Sequence, residues 1–81
     1  MISCSDYDYI EIACMHRYLV RLTLKDGESL EGKALDTARN EDKQECIKLA
    51  VDSTEQLVVL DTLSKLEVLV DNPHFQLKTF D

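Results

Sequence analysis

The sequence predicts a mainly β fold, a small barrel of five or six antiparallel strands preceded by one N-terminal helix. Three observations lead there. With 81 residues the chain has room for one domain, spanning residues 1–81. Beyond about residue 18 the apolar residues recur with period two, in short runs separated by polar or turn-forming residues. Helical spacing is confined to a stretch near the start, about residues 5–16.

In that stretch Ser5 is a candidate cap, with Asp8 three residues on and Asp6 adding negative charge at the positive end of the helix dipole. At 100° per residue, Tyr7, Ile10, Ala13, Cys14 and Arg17 gather on one side, the expected core face. Asp8, Glu11, Ile12 and Met15 gather on another, two carboxylates sharing a face with two apolar side chains.

From Tyr18 to Lys25, Val20, Leu22 and Leu24 alternate with Arg21, Thr23 and Lys25, the pattern of a half-buried strand. Asp26-Gly27 supplies a hairpin turn, and a second strand follows from Ser29 to Thr37 with Leu30, Gly32 and Ala34 inward. A glycine inside a strand marks a sharp bend, read here as a barrel corner. The polar run Arg39 to Gln44 is a loop, Cys46 to Val51 a third strand, and Asp52-Ser53-Thr54 a turn. Leu57 to Leu60 are consecutively apolar, which predicts a strand covered on both faces with the helix across one of them. Leu63, Leu66, Val68 and Val70 continue in a fifth strand; Asn72-Pro73 ends it, and residues 75–80 alternate as a possible sixth.

Sixteen acidic against nine basic side chains give a net charge of −7, which repels a phosphate backbone and favours a basic protein partner. Direct nucleic-acid binding is therefore not expected. No apolar run approaches a membrane span and no basic-then-apolar leader opens the chain, so a cytoplasmic protein is expected. Cys4, Cys14 and Cys46 are odd in number, widely spaced and without a C-x-x-C pair, so no disulfide framework or zinc site is indicated. His16 and His74 are the only imidazoles, and no nucleophile-elbow or phosphate-binding motif occurs. Neither an enzyme nor a bound cofactor is expected.

Two resemblances sharpen this. Tyr18 to Leu35, YLVRLTLKDGESLEGKAL, resembles the first motif of Sm-like proteins. The aspartate that the RNA-binding members carry six residues after the glycine is replaced by Ala38, and Asp61-Thr62-Leu63-Ser64 stands where their late R-G or K-G turn would lie. The resemblance thus implies an Sm-like shell without the RNA site, and a monomer instead of a ring. Cys4 to Met15, CSDYDYIEIACM, with Leu22 to Lys33, LTLKDGESLEGK, is similar to the Rho-binding antiterminator family, Rof. What that implies is an inhibitor of Rho-dependent termination that binds the RNA-binding region of Rho and blocks RNA capture. The alternative is an Sm-like RNA-binding module or another acidic protein-interaction module.

The residues expected to meet a partner are Asp6, Tyr7, Asp8, Glu11, Ile12 and Met15 on the helix and Arg39, Asn40 and Lys43 in the polar loop. Each also has a plainer reading. Asp6 and Asp8 complement the helix dipole, Tyr7 packs beneath the helix, Ile12 and Met15 cover neighbouring strands, and the loop is solvated. Glu11 lies beyond the dipole's reach, so its plainer reading is a solvated helix face.

Overall fold

A computed structural model describes residues 2–80. One helix, α1 (Cys4–Met15), precedes six strands: β1 (Leu19–Leu24), β2 (Ser29–Arg39), β3 (Glu45–Val51), β4 (Thr54–Val59), β5 (Leu63–Val68) and β6 (Leu77–Thr79). A single 3-10 turn, Leu60–Thr62, joins β4 to β5. All six strands form one antiparallel sheet in the order β4-β3-β2-β1-β5-β6. If flat, that sheet would hold β4 and β5 roughly 19 Å apart, four strand spacings. Val58 of β4 and Leu66 of β5 nevertheless belong to one buried cluster, so the sheet curls around its core into a small barrel.

β2 makes the curl. Its first half pairs with β1 through Ser29–Lys33 and its second half with β3 through Lys33–Arg39, with a register shift between Ala34 and Asp36. Gly32 stands just before the changeover. A Cβ built there would lie 2.5 Å from the Ala50 carbonyl oxygen, so glycine serves the expected corner by letting two backbones approach. The Asp26-Gly27 turn forms as expected: Gly27 takes φ +94°, and the Asp26 side chain accepts a hydrogen bond from the Glu28 N–H at 2.9 Å.

Several expectations need correction. The helix cap lies two residues earlier than expected, because Ser3, not Ser5, accepts the Asp6 N–H at 3.1 Å. This places Ile2 and Tyr7 at the staple positions flanking the cap, and both pack on the core. Arg17 is not in the core; it is exposed with φ +54° and ends the helix. The Tyr18 N–H reaches the Ala13 carbonyl and the Arg17 N–H the Cys14 carbonyl, a Schellman closure with arginine where glycine is usual. The run 57–60 is not covered on both faces: Leu57 is 45% exposed on an edge strand, Val58 is buried, and Leu60 turns inward from the 3-10 segment. The helix lies against β2 instead. Val70 is exposed beyond the end of β5, and β6 spans three residues, with Phe80 just after it buried in the core.

Residues 72–80 return to the helix. Phe75 meets Tyr9 edge-on at 5.0 Å, Lys78 lies 4.9 Å over the Tyr9 ring and 3.0 Å from Asp6, and His74 stacks on His16 at 4.7 Å. Asn72 holds this segment in shape, accepting from the His74 and Phe75 amides and donating to the Val70 and Phe75 carbonyls.

Candidate partner-binding site

Moving the cap to Ser3 changes the meaning of the helix carboxylates. Asp6 is now the acidic residue of the first turn and is paired with Lys78, a structural role on the side facing the C-terminal segment. Asp8 lies in the second turn, past the orphan amides of the helix start, so dipole complementation no longer accounts for it. Asp8 and Glu11 are both exposed and make no ion pair among the described residues.

Beside them runs a surface groove of about 720 Å³. It brings Tyr7, Asp8 and Glu11 of α1 together with Arg39 at the end of β2 and Lys43 of the following loop. The loop is built, not slack. Asn40 accepts from the Asp42 and Gln44 amides at 3.0 Å each, its Nδ2 donates to the Gln44 side chain, and its backbone closes on Gln44 and Lys43. Lys43 takes φ +63°, which turns the chain back into β3. Asn40 thus shapes the loop that presents Arg39 and Lys43 and does not itself line the groove.

Ile2 and Leu60 give the groove apolar walls, while Glu45 and Asp61 add carboxylates. Among the described lining residues, Asp61 apart, three carboxylates, Asp8, Glu11 and Glu45, stand against two cations, Arg39 and Lys43. Arg39 is 3.8 Å from Glu45, both well exposed, a pair worth little in water. The groove is therefore net negative, apolar along its walls and aromatic at Tyr7, features suited to holding basic side chains and their alkyl stems.

Of the residues singled out in the sequence, the structure gathers Tyr7, Asp8, Glu11, Arg39 and Lys43 here. Asp6 and Asn40 have internal partners, and Ile12 is half-buried outside the groove. Met15 is exposed further along the helix, beside a separate depression. Leu60, Glu45 and Asp61 are additions. They reach the groove through the start of β3 and the 3-10 turn, whose positions depend on strand register and leave no local sequence mark. Burial pushes the Cys14 thiol up to about 11 and also raises that of Cys46, so both are inert small apolar side chains at neutral pH. Among the described residues no group of three or more His, Cys, Asp or Glu side chains is arranged to hold a metal ion, and no helix is long and apolar enough to cross a membrane.

Comparison with known proteins decides the family. Residues 1–80 match the family described as "Modulator of Rho-dependent transcription termination (ROF)". The chain belongs to this family. Relatives include "Protein rof" of Escherichia coli (strain K12) and of Shigella flexneri. Each is 39% identical over 56 residues, covering 69% of this chain and 67% of the relative. A solved structure described as "YaeO bound to Magnesium from Vibrio cholerae O395" superimposes with a TM-score of 0.89 at 47% identity, covering 93% of this chain and 97% of that one. The Rof family is defined by a regulatory role in transcription termination, with Rho the partner that role implies.

Proposed function

We propose that this member of the Rof family inhibits termination by binding the RNA-binding region of Rho and blocking its capture of RNA. The observation that carries the reading is the groove between α1 and the 40–44 loop, where Asp8 and Glu11 stand exposed and make no ion pair among the described residues, on a chain of net charge −7. A surface that grips RNA is rich in lysine and arginine, and an acidic groove with an aromatic and aliphatic lining can take those side chains in place of phosphate. The chain acts as a monomer and does not hold RNA itself, because its net charge opposes both self-association and phosphate binding.

Competition provides the test. Purified Rho is loaded with a fluorescent RNA, and the chain is added at two salt concentrations. RNA should be displaced, with weaker displacement at the higher salt because exposed charges are screened beyond a Debye length of about 8 Å at physiological ionic strength. Affinity of the free chain for the labelled RNA, without affinity for Rho, would replace this reading with the RNA-binding one.

A further inference from the structure

Glu11 has two sides. One borders the groove that contains Tyr7 and Asp8; the other borders a separate depression of about 350 Å³ between the end of α1 and the bulged middle of β2. Met15 and Leu35 give this depression its apolar surface, Glu11 and Asp36 its negative charge, and Arg17 one positive charge at the rim. The β2 register shift between Ala34 and Asp36 falls in the stretch of the strand that lines the recess. Asp36 is fixed there, with its Oδ1 accepting the Thr37 N–H at 2.8 Å.

Three features mark this recess as more than surface relief. Met15 is 73% exposed, the most exposed large apolar side chain among the described residues. Glu11, Asp36 and Arg17 make no ion pair among the described residues. All three also sit close enough to the Cys14 thiol at its edge to act on it electrostatically, Asp36 most strongly. Two carboxylates against one guanidinium leave the recess net negative, beside an apolar surface that water alone does not satisfy. An acidic side chain is repelled, and a purely aliphatic one leaves both carboxylates unanswered. The complementary group is a lysine or arginine, with its stem on Met15 and Leu35 and its charged head between Glu11 and Asp36.

We infer that this recess is a second pocket of the partner interface, taking a basic side chain of the same protein surface that fills the larger groove. Glu11 is the wall common to both, so one partner surface spans the helix and is gripped on either side. The inference rests on the proposed binding to Rho.

The test is binding of purified Rho to the fluorescently labelled chain, measured by anisotropy for the wild type and four variants, each checked for fold by circular dichroism and thermal melting. Asp36→Asn keeps the acceptor for Thr37 and removes only the charge; it should weaken binding about fivefold, and Asp36→Lys more than tenfold. Met15→Gln keeps length and helix propensity while losing the apolar contact, and should also weaken binding several-fold. Asp8→Lys reports on the larger groove alone. If Asp8→Lys loses affinity while the Asp36 and Met15 variants bind within twofold of the wild type, the second pocket is refuted and the proposed function stands. If the wild type does not bind Rho at all, both fall. A stable dimer of the free chain that Asp36→Lys dissociates would also refute the inference, by making a second copy the occupant.

Discussion

Reversing Glu11 tests the recognition surface at the point where its two halves meet. Glu11→Lys should leave the fold intact: the side chain is exposed, has no ion pair among the described residues, and is replaced by a residue of nearly equal helix propensity. The expected cost to stability is below about 0.5 kcal/mol. Binding is another matter. A carboxylate meeting a partner cation at a partly desolvated contact is worth on the order of 2 kcal/mol, and reversal adds repulsion, so affinity for Rho should fall at least about 30-fold. Because Glu11 walls both the groove and the recess, the loss should equal or exceed that of Asp8→Lys. Asp81→Lys is a tempting control of equal charge change, but Asp81 lies outside the described residues. Glu55→Lys serves better. It pairs with Ala50, five residues along β3 from Glu45 and so roughly 17 Å from the groove's edge, beyond the Debye length. Displacement of labelled RNA from Rho, at fixed salt, reads all three variants. Equal weakening by Glu11→Lys and Glu55→Lys, with both proteins folded, would show that the chain is recognised by its net charge and not by the helix.

The remaining predictions concern the scaffold. Gly32→Ala should destabilise by about 1–3 kcal/mol in urea unfolding, because its Cβ is driven against the backbone oxygen of Ala50, which has no flexible end to yield. Arg17→Gly should stabilise by about 0.5–1 kcal/mol, a melting-point rise of roughly 2–8 °C, by relieving a left-handed non-glycine residue at the helix end. The Cys14 thiol, held protonated up to about 11 against an ordinary 9.0, favours the folded state fully below pH 9 and progressively loses that contribution as pH rises from 9.0 to about 11. The loss at pH 10.5 is about 2 kcal/mol from the same pair of values, and Cys14→Ala should unfold with a correspondingly flatter dependence between pH 8.5 and 10.5.

Much of this fold was legible because β1 and the first half of β2 obey a strict period of two, and Val20, Leu22 and Ala34 are indeed fully buried. The Asp-Gly turn was equally readable, since few dipeptides tolerate that backbone. Where local patterns were degenerate, the sequence could not choose. Ser3-x-x-Asp6 and Ser5-x-x-Asp8 are the same cap signature, and what separates them is tertiary: only the first puts Ile2 and Tyr7 on the core together. The 57–60 run misled for a similar reason. Four apolar residues in a row read as a strand buried on two faces, yet a 3-10 turn beginning at Leu60 divides them and leaves Leu57 on an open edge. In the site, exposed carboxylates on a helix face and cations in a polar loop were visible separately. Their meeting in one groove, with Leu60 and Asp61 added, follows from strand pairings that span the chain.

Residues 72–80 give the helix a second hold. Tyr18 and His74 are hydrogen-bonded at 2.8 Å across 56 positions, and Phe75 and Lys78 clasp Tyr9 from the same late segment. α1 is therefore gripped at two places far apart in the sequence, by the core and β2 along its buried face and by residues 72–80 around Tyr9, and without the later segment only the first hold remains. Removing those residues, or crowding them with a fused tag, would loosen the helix without altering any side chain in the groove, and the injury would be mistaken for a defect in recognition.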